Sequence, residues 1–284
     1  MEPPHLFKPV ITSSYNAITE CDYNLHKSNS TYFADLDAAR SALMGALLQR
    51  SLARLNAGDL TGLPEAAKTT KGSYIIALGG IAAIFRKEIK PLESFDIYTK
   101  VLTWDDKWLY VISHVVKKGA TKPTKYLLQP WKKGSKSRKE EVDKDMTKAI
   151  FTTSIAKYVV KKGRLTIAPE ILLTRGDLLP PRPSNLRAPA ERTESPATGQ
   201  GTPANLSSPE NLVAEVSVKL GGRANAEKAS ESVADGDDLT WEDVEQQRLR
   251  GLRLAKNFDS LSALHEEFGA DDEVLGKYSD VFFW

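Results

Sequence analysis

The chain has 284 residues, of which 41% are hydrophobic and 27% charged, so it can bury at least one sizeable core. Its longest apolar stretch, residues 74–85, is shorter than the roughly 20 residues of a membrane-spanning helix. The single cysteine, Cys21, excludes an internal disulfide and a multi-cysteine zinc site, and the histidines are scattered. The first residues, Met1 to His5, lack the basic segment of a signal peptide. We therefore expect a cytoplasmic protein without a signal peptide, membrane span or metal site.

The net charge of +2 conceals an asymmetry along the chain. Residues 1–180 contain 28 basic and 18 acidic residues, which gives +10, whereas residues 181–284 contain 11 and 19, which gives −8. A basic folded part favours an anionic partner, although charge alone does not identify it.

Composition divides the chain into three parts. Residues 1–180 are dense in apolar residues and form one predicted domain, whereas residues 181–238 have the polar, proline-rich composition of a disordered linker. In residues 239–284, Thr240 can cap a helix together with Asp243, and apolar residues follow near helical spacing. They are Trp241, Val244, Leu252, Ala255, Phe258, Leu261 and Leu264. We predict a C-terminal amphipathic helix.

The predicted domain opens with a strand at residues 10–18 and a turn-like stretch at residues 22–29. A helix of about 20 residues follows, because apolar residues recur every three or four positions, as one buried helix face requires. These residues are Tyr32, Leu36, Ala39, Leu43, Leu47 and Leu52. Asn29 is a candidate N-cap of this helix.

Further strand patterns occupy residues 73–88, 95–104, 107–117 and 149–161, with a hairpin turn at Asp105-Asp106. A lysine-rich insertion, residues 118–147, separates the last two. One strand, a long helix and four more strands are typical of an α+β domain whose curved antiparallel sheet wraps around a central helix. The outer face and edges of such a sheet need a cover: a second subunit, the insertion or the C-terminal helix.

The segment 21–32, C-D-Y-N-L-H-K-S-N-S-T-Y, resembles the D-x-x-x-H-x-N-N-x-x-Y signature of hotdog-fold proteins similar to 4-hydroxybenzoyl-CoA thioesterase. Residues 37–40, D-A-A-R, resemble the acidic-x-A-R helix of that family. Residues 85–91 and 101–110 resemble paired strands of the subgroup that contains thioesterase superfamily member six and fungal secondary-metabolism thioesterases. The resemblance spans residues 8–172 and departs at Ser28, where the family has the first of two asparagines. The insertion and the acidic C-terminal part lie outside the family's common core.

The resemblance implies a homodimeric hotdog-fold thioesterase that acts on acyl-CoA or an acyl carrier protein without a metal or redox cofactor. It implies Asp22, His26 and Asn29 as catalytic residues, close to a subunit interface. Asp22 would be the general base or nucleophile, and N–H groups at the helix start near Asn29 would polarise the thioester oxygen. His26 would position water or donate a hydrogen bond to that oxygen. By analogy, the acyl group is a polyketide or fatty acyl chain.

Structural roles compete with these assignments. Asp22 and Asn29 are also typical turn and cap residues, and His26 is also compatible with a purely structural role. Asp37 and Arg40 are predicted to form an ion pair on the helix surface rather than to take part in catalysis.

Two further features carry charge or reactivity. Residues 117–148 contain 11 basic and four acidic residues, and form either a solvated loop or a lip that attracts the diphosphate of coenzyme A or an acidic carrier protein. Nucleic-acid binding is not predicted, because few aromatic residues alternate with the basic ones. Cys21 is predicted to pack rather than react, since no basic neighbour in the sequence lowers its pKa.

Two alternative functions remain open on the sequence. Hotdog hydratases and dehydratases resemble D-x-N-P-x-H; here the proline is missing and His26 follows Asp22 by four residues rather than five. The spacing favours the thioesterase. A non-catalytic acyl-binding scaffold, with partners recruited by the linker and C-terminal helix, would bind acyl groups without turnover.

Overall fold

The computed structural model describes residues 3–121, 123–134, 146–183 and 239–267. Residues 135–145 of the insertion and residues 184–238 of the predicted linker lie outside the described residues, as do residue 122 and residues 268–284. The predictions for these segments remain predictions.

A long helix held in a curved antiparallel sheet forms the centre of the molecule. The helix α1 spans Asn29–Asn56. The strands are β1 Val10–Tyr15, β2 Tyr74–Phe85, β3 Ser94–Trp104, β4 Trp108–Lys117, β5 Ile150–Lys162 and β6 Leu165–Ile167. The sheet order is β1-β3-β4-β5-β2 with β6 on β5, and the paired strands are antiparallel. The predicted α+β hotdog architecture is confirmed, with β1 and β2 as the edge strands.

The apolar face of α1 packs on one side of the sheet. Leu36 of α1 is fully buried in one core cluster with Ile97 of β3 and Val115 of β4, and Leu43 is fully buried in a second, larger cluster. Because side chains alternate along a strand, the opposite side of the sheet carries Tyr98 and Lys100 of β3 and His114 of β4. We call this side the outer face.

The helix α1 is longer than predicted, with 28 residues. Its buried face continues through Leu48 and Leu55, because its C-terminal half packs on a second helix, α3, at Pro169–Arg175. Ser51 Oγ donates a hydrogen bond of 2.7 Å to the Leu172 carbonyl across this contact. Three short elements were not predicted, because none is long enough to show a hydrophobic period: the helices α2 (Glu65–Thr69) and α3 and the strand β6.

The first strand is shorter than predicted and ends at Tyr15. The fully buried Asn16 interrupts it: its side-chain amide donates hydrogen bonds to the carbonyls of Ile89 and Lys90, at 3.2 and 3.1 Å. A 3-10 helix, Ile18–Glu20, follows in place of the last predicted strand residues.

The predicted C-terminal helix is present as α4, Trp241–Asp259. Its first turn has the expected capping box: the Asp243 N–H donates to Thr240 Oγ1 at 3.2 Å, and the Thr240 N–H donates to Asp243 Oδ2 at 3.1 Å. The predicted helical positions Leu261 and Leu264 instead lie in a following 3-10 helix, Ser260–Glu267, and are exposed.

Helix α4 covers the outer face of the sheet beside the β3–β4 hairpin. Ala255 is buried there, and Val244 is buried in the larger core cluster. At Gly251 the backbones approach so closely that a Cβ would lie 2.4 Å from the Leu102 carbonyl oxygen. Part of the outer face is therefore covered from within the same chain. Among the described residues, no helix is long and apolar enough to cross a membrane.

Candidate functional site

Asp22 and His26 lie opposite each other in a tight loop before α1. In this site loop, residues 20–28, the Asp22 N–H donates to the His26 carbonyl at 2.9 Å, and the Ser28 N–H donates to the Glu20 carbonyl at 2.8 Å. Leu25 at the tip adopts the left-handed conformation, with φ 60°. The structure thus brings Asp22 and His26 together through the backbone.

The Asp22 carboxylate holds the turn with one of its oxygens. Oδ1 accepts hydrogen bonds from the N–H groups of Asn24 at 2.9 Å and His26 at 3.3 Å. Oδ2 makes no hydrogen bond or ion pair to any described residue. Asp22 is therefore a turn residue, as its residue type suggests, and still has one carboxylate oxygen available.

The side-chain partner of His26 is Glu88, which follows β2. Nε2 of His26 lies 3.1 Å from Glu88 Oε2, and the His26 side chain is 33% exposed. In this contact the carboxylate accepts a hydrogen bond from Nε2–H, which leaves Nδ1 for another partner. Sequence reasoning missed Glu88, because the pairing depends on the site loop lying beside residues 88–89, where the Lys27 N–H donates to the Ile89 carbonyl.

The prediction that Asn29 caps α1 was wrong. Ser28 is the N-cap, and Asn29 is the exposed first residue of the helix. The Ser28 hydroxyl lies 3.0 Å from the Ser30 hydroxyl and makes no capping hydrogen bond. Without a side-chain cap, the first N–H groups of α1 remain at the positive end of a long helix dipole.

A buried lysine anchors the site loop and was missed at the sequence level. The Lys27 side chain is fully buried, and its ammonium lies 2.5 Å from Glu20 Oε2 and 2.8 Å from Asp35 Oδ2. It also lies over the rings of Tyr32 and Phe95, at 5.6 and 5.4 Å from their centroids. In the sequence Lys27 stands between the polar residues His26 and Ser28. Nothing there indicates burial, because lysine is rarely buried without partners and its partners are not sequence neighbours.

Aromatic residues form the wall beneath the site loop. The rings of Tyr32 in α1 and Phe85 in β2 meet edge to face, with centroids 5.1 Å apart. Burial raises the pKa of Tyr32 to about 12, so its hydroxyl stays protonated at neutral pH. Phe33, the next residue of α1, remains 39% exposed. An apolar acyl group would find apolar contacts here.

The Asp37–Arg40 ion pair is confirmed, at 3.2 Å, but its predicted location on the helix surface was wrong for Arg40. The Arg40 side chain is buried, and its Nε donates a hydrogen bond of 2.7 Å to the Tyr158 hydroxyl of β5. Arg40 thus ties α1 to the sheet. Cys21, as predicted, packs: its thiol is half-buried beside Asn16.

Comparison with known proteins assigns the family. Residues 17–166 match the sequence model of the thioesterase-like superfamily. The chain is 31% identical to the probable thioesterase atnL of Emericella nidulans, over 98% of this chain and 76% of that protein. It is 32% identical to the thioesterase lcsJ of Purpureocillium lilacinum, over 87% of this chain and 65% of that protein. The probable thioesterase YBR096W of Saccharomyces cerevisiae is 32% identical over 55% of this chain and half of its own length.

Solved structures align with this chain only at low sequence identity and low TM-score. A 1,4-dihydroxy-2-naphthoyl-CoA thioesterase from Synechocystis aligns over 60% of this chain and 95% of its own, with 6% identity and a TM-score of 0.38. A probable thioesterase from Bartonella henselae aligns over 56% and 98%, with 7% identity and a TM-score of 0.35. The assignment rests on the sequence matches instead. By these matches the chain belongs to the thioesterase-like superfamily, and the predicted family and enzyme class are confirmed.

Proposed function

We propose that this chain is an acyl thioesterase in which the Asp22 carboxylate activates the attacking water or attacks the thioester itself. The observation that carries the assignment is the Asp22 carboxylate, half-exposed in the site loop before α1, with Oδ1 fixed by two backbone N–H groups and Oδ2 available. A fixed carboxylate can accept a proton from water without reorienting.

The remaining parts of the site support the same reaction. In the general-base route, Asp22 takes a proton from water, the hydroxide attacks the carbonyl carbon, and the tetrahedral oxyanion collapses with loss of the thiolate. The thiolate then takes up the proton held by Asp22, and the carboxylic acid and the free thiol are released. The uncapped N–H groups at Asn29 and Ser30 would stabilise the oxyanion, and His26, oriented by Glu88, would position water or the substrate.

The test is release of free thiol from a panel of short, long and aromatic acyl-CoAs. We expect Asp22→Asn to lower kcat by about 100-fold or more with the fold intact, since only the proton-accepting charge is removed. The matched control is Asp177→Asn, an exposed aspartate paired with Arg50 near the other end of α1. Equal turnover in wild type and Asp22→Asn contradicts the assignment.

The alternatives make different predictions in the same assay. A hydratase would add water to an enoyl-CoA without releasing thiol, and neither the Asp22 to His26 spacing nor the thioesterase relatives favour it. A non-catalytic scaffold would bind acyl-CoA without turnover. If coenzyme A esters are inert, the corresponding acyl carrier protein esters, polyketide or fatty, are the substrates to test next.

We also propose that the chain acts as a homodimer whose second copy covers β2. This edge strand carries exposed apolar side chains at Ile75, Leu78, Ile84 and Phe85. A long apolar edge is normally covered, because its unpaired backbone groups invite another strand. Phe85 contacts Tyr32 below the site loop, so a partner at β2 would adjoin the candidate site.

The lysine-rich insertion favours a substrate in which an anionic molecule carries the acyl group. Among its described residues, Leu127, Leu128 and Trp131 are exposed, and the Lys132 ammonium lies 4.5 Å from the centre of the Tyr126 ring. Exposed lysines beside apolar side chains suit the phosphates of coenzyme A or an acidic carrier protein.

A further inference from the structure

A cavity of about 230 Å³ opens on the outer face of the sheet. Its polar lining comes from Tyr98, Lys100, His114 and Thr121, and its apolar lining includes Val116 and Ile150. None of its lining residues belongs to the site loop. The volume suits a ligand of about eight groups the size of a water molecule or methylene.

The basic side chains of this cavity lack an anionic partner among the described residues. Lys100 has no carboxylate paired with it in that part of the chain. His114 uses Nδ1 for the Thr153 hydroxyl, at 3.1 Å, which leaves Nε2. The acid beside Tyr98, Asp96, is already engaged: Oδ1 accepts from the Ser13 hydroxyl at 2.6 Å and Oδ2 from the Gly119 N–H at 2.9 Å.

The basic groups around the cavity lower one another's pKa, although Lys100 itself remains exposed to water. Partial burial lowers the pKa of Lys100, and Arg250 on α4 lowers it further. Burial also lowers the pKa of His114, and the neighbouring Lys100 adds to that effect. Groups from β3, β4 and α4 thus oppose one another's positive charge, and a bound anion would favour the charged form of each.

We propose that this cavity binds a small monocarboxylate with an apolar body. The carboxylate would contact the Lys100 ammonium and the His114 ring, and the apolar body would pack on Val116 and Ile150. Inorganic phosphate would contact Lys100 and His114 but leave the apolar walls in water, so the lining favours an amphipathic acid. Acids of this class are the products of thioester hydrolysis. Only the identification of the ligand as a product rests on the proposed function.

The test is calorimetric titration of the full chain with hexanoate and with hexanamide, a neutral ligand of matched size. We expect hexanamide and acetate each to bind about tenfold more weakly than hexanoate. Lys100→Met should weaken hexanoate by about tenfold and leave hexanamide unchanged. The Asp22→Asn variant should bind hexanoate like wild type, because the cavity does not include the site loop.

Proton NMR of the histidine rings locates the ligand. Hexanoate should raise the pKa of His114 in wild type, because a nearby anion favours the imidazolium, and His114→Gln assigns the resonance. Equal binding of hexanoate and hexanamide, unchanged affinity in Lys100→Met, or loss of binding in Asp22→Asn would each overturn the proposal. Thiol release by the same proteins tests the thioesterase assignment separately, so the two failures are distinguishable.

Discussion

Single residues of the site loop owe their positions to contacts that no local pattern encodes. Lys27 is held by Glu20, seven residues earlier, and by Asp35, the seventh residue of α1. His26 faces Glu88 across the gap between the site loop and β2. Burial of a lysine is stable only when its charge is paired, so these contacts fix the loop as a unit.

Replacing Lys27 tests this anchoring. Lys27→Met keeps most of the buried volume but leaves the Glu20 and Asp35 carboxylates without their cation, so we expect the free energy of unfolding to fall by roughly 3 kcal/mol. Thiol release should fall with it, because the loop carries Asp22. Urea unfolding and the thiol assay measure the two effects.

The control is Lys68→Met, which removes an exposed ion pair with Glu65 and should change stability by less than about 0.5 kcal/mol. Equal losses in the two lysine variants would show that Lys27 contributes no more than a surface pair.

Among the secondary-structure elements, α4 docks on the sheet through a close backbone approach and a cluster of hydrogen-bonded side chains. A Cβ at Gly251 would meet Thr103 Cβ at 2.7 Å. At the C-terminal end of α4, the Tyr110 hydroxyl of β4 contacts both Asp105 and Asp259, and Lys157 of β5 lies 2.7 Å from Asp259. The helix is therefore part of the folded domain rather than a separate appendage.

Gly251→Ala should loosen this docking. The added methyl group cannot be accommodated without moving α4, so we expect a loss of about 1–3 kcal/mol in unfolding free energy and faster proteolysis within α4. Gly45→Ala in α1 is the matched control, because a Cβ there meets nothing within 4 Å. That variant should gain roughly 0.5–1 kcal/mol, so a loss at both positions contradicts the docking explanation.

The contact between Asp105 and α4 also predicts a pH dependence. Burial raises the pKa of Asp105, and the nearby Asp259 raises it further. The folded state then binds the proton more tightly than the unfolded state, so this contribution is present at low pH and is lost as pH rises from about 4 through the folded pKa. Asp105→Asn should therefore gain stability relative to wild type across that rise.

Urea unfolding at a series of pH values measures this difference. A difference between wild type and Asp105→Asn that is constant with pH would contradict a raised pKa.

At the scale of the whole molecule, the sheet is covered unevenly. On the outer face, α4 covers the sheet near the hairpin, whereas β2 keeps an apolar edge. Burying such an edge against a second copy removes apolar surface from water and pairs the free backbone groups.

We predict that Ile84→Lys converts a dimer into a monomer. Ile84 is 68% exposed on the edge strand, and a charge there opposes strand pairing. Light scattering after size-exclusion chromatography measures the mass. Leu254→Lys, at an exposed position on α4, is the control and should leave the mass unchanged. A wild-type chain that is monomeric at micromolar concentration would exclude the proposed assembly.

The sequence by itself determined the elements with a strong period or cap. The spacing of the apolar residues Leu36, Ala39 and Leu43 predicts α1, and the pairing of Thr240 with Asp243 predicts the start of α4. Both patterns depend only on residues three or four apart. The loop motif likewise placed Asp22 and His26 in one turn.

Only the tertiary structure decided the partners of these residues. Glu88 beside His26, the burial of Lys27 and Arg40, and the outer-face cavity all join segments distant in the chain. The position at which α1 ends also depends on a distant segment. The helix runs to Asn56 because α3, more than 100 residues later in the chain, buries its last turns. Local periodicity reports which face is apolar, whereas the identity of the group that meets it follows from the packing of the whole chain.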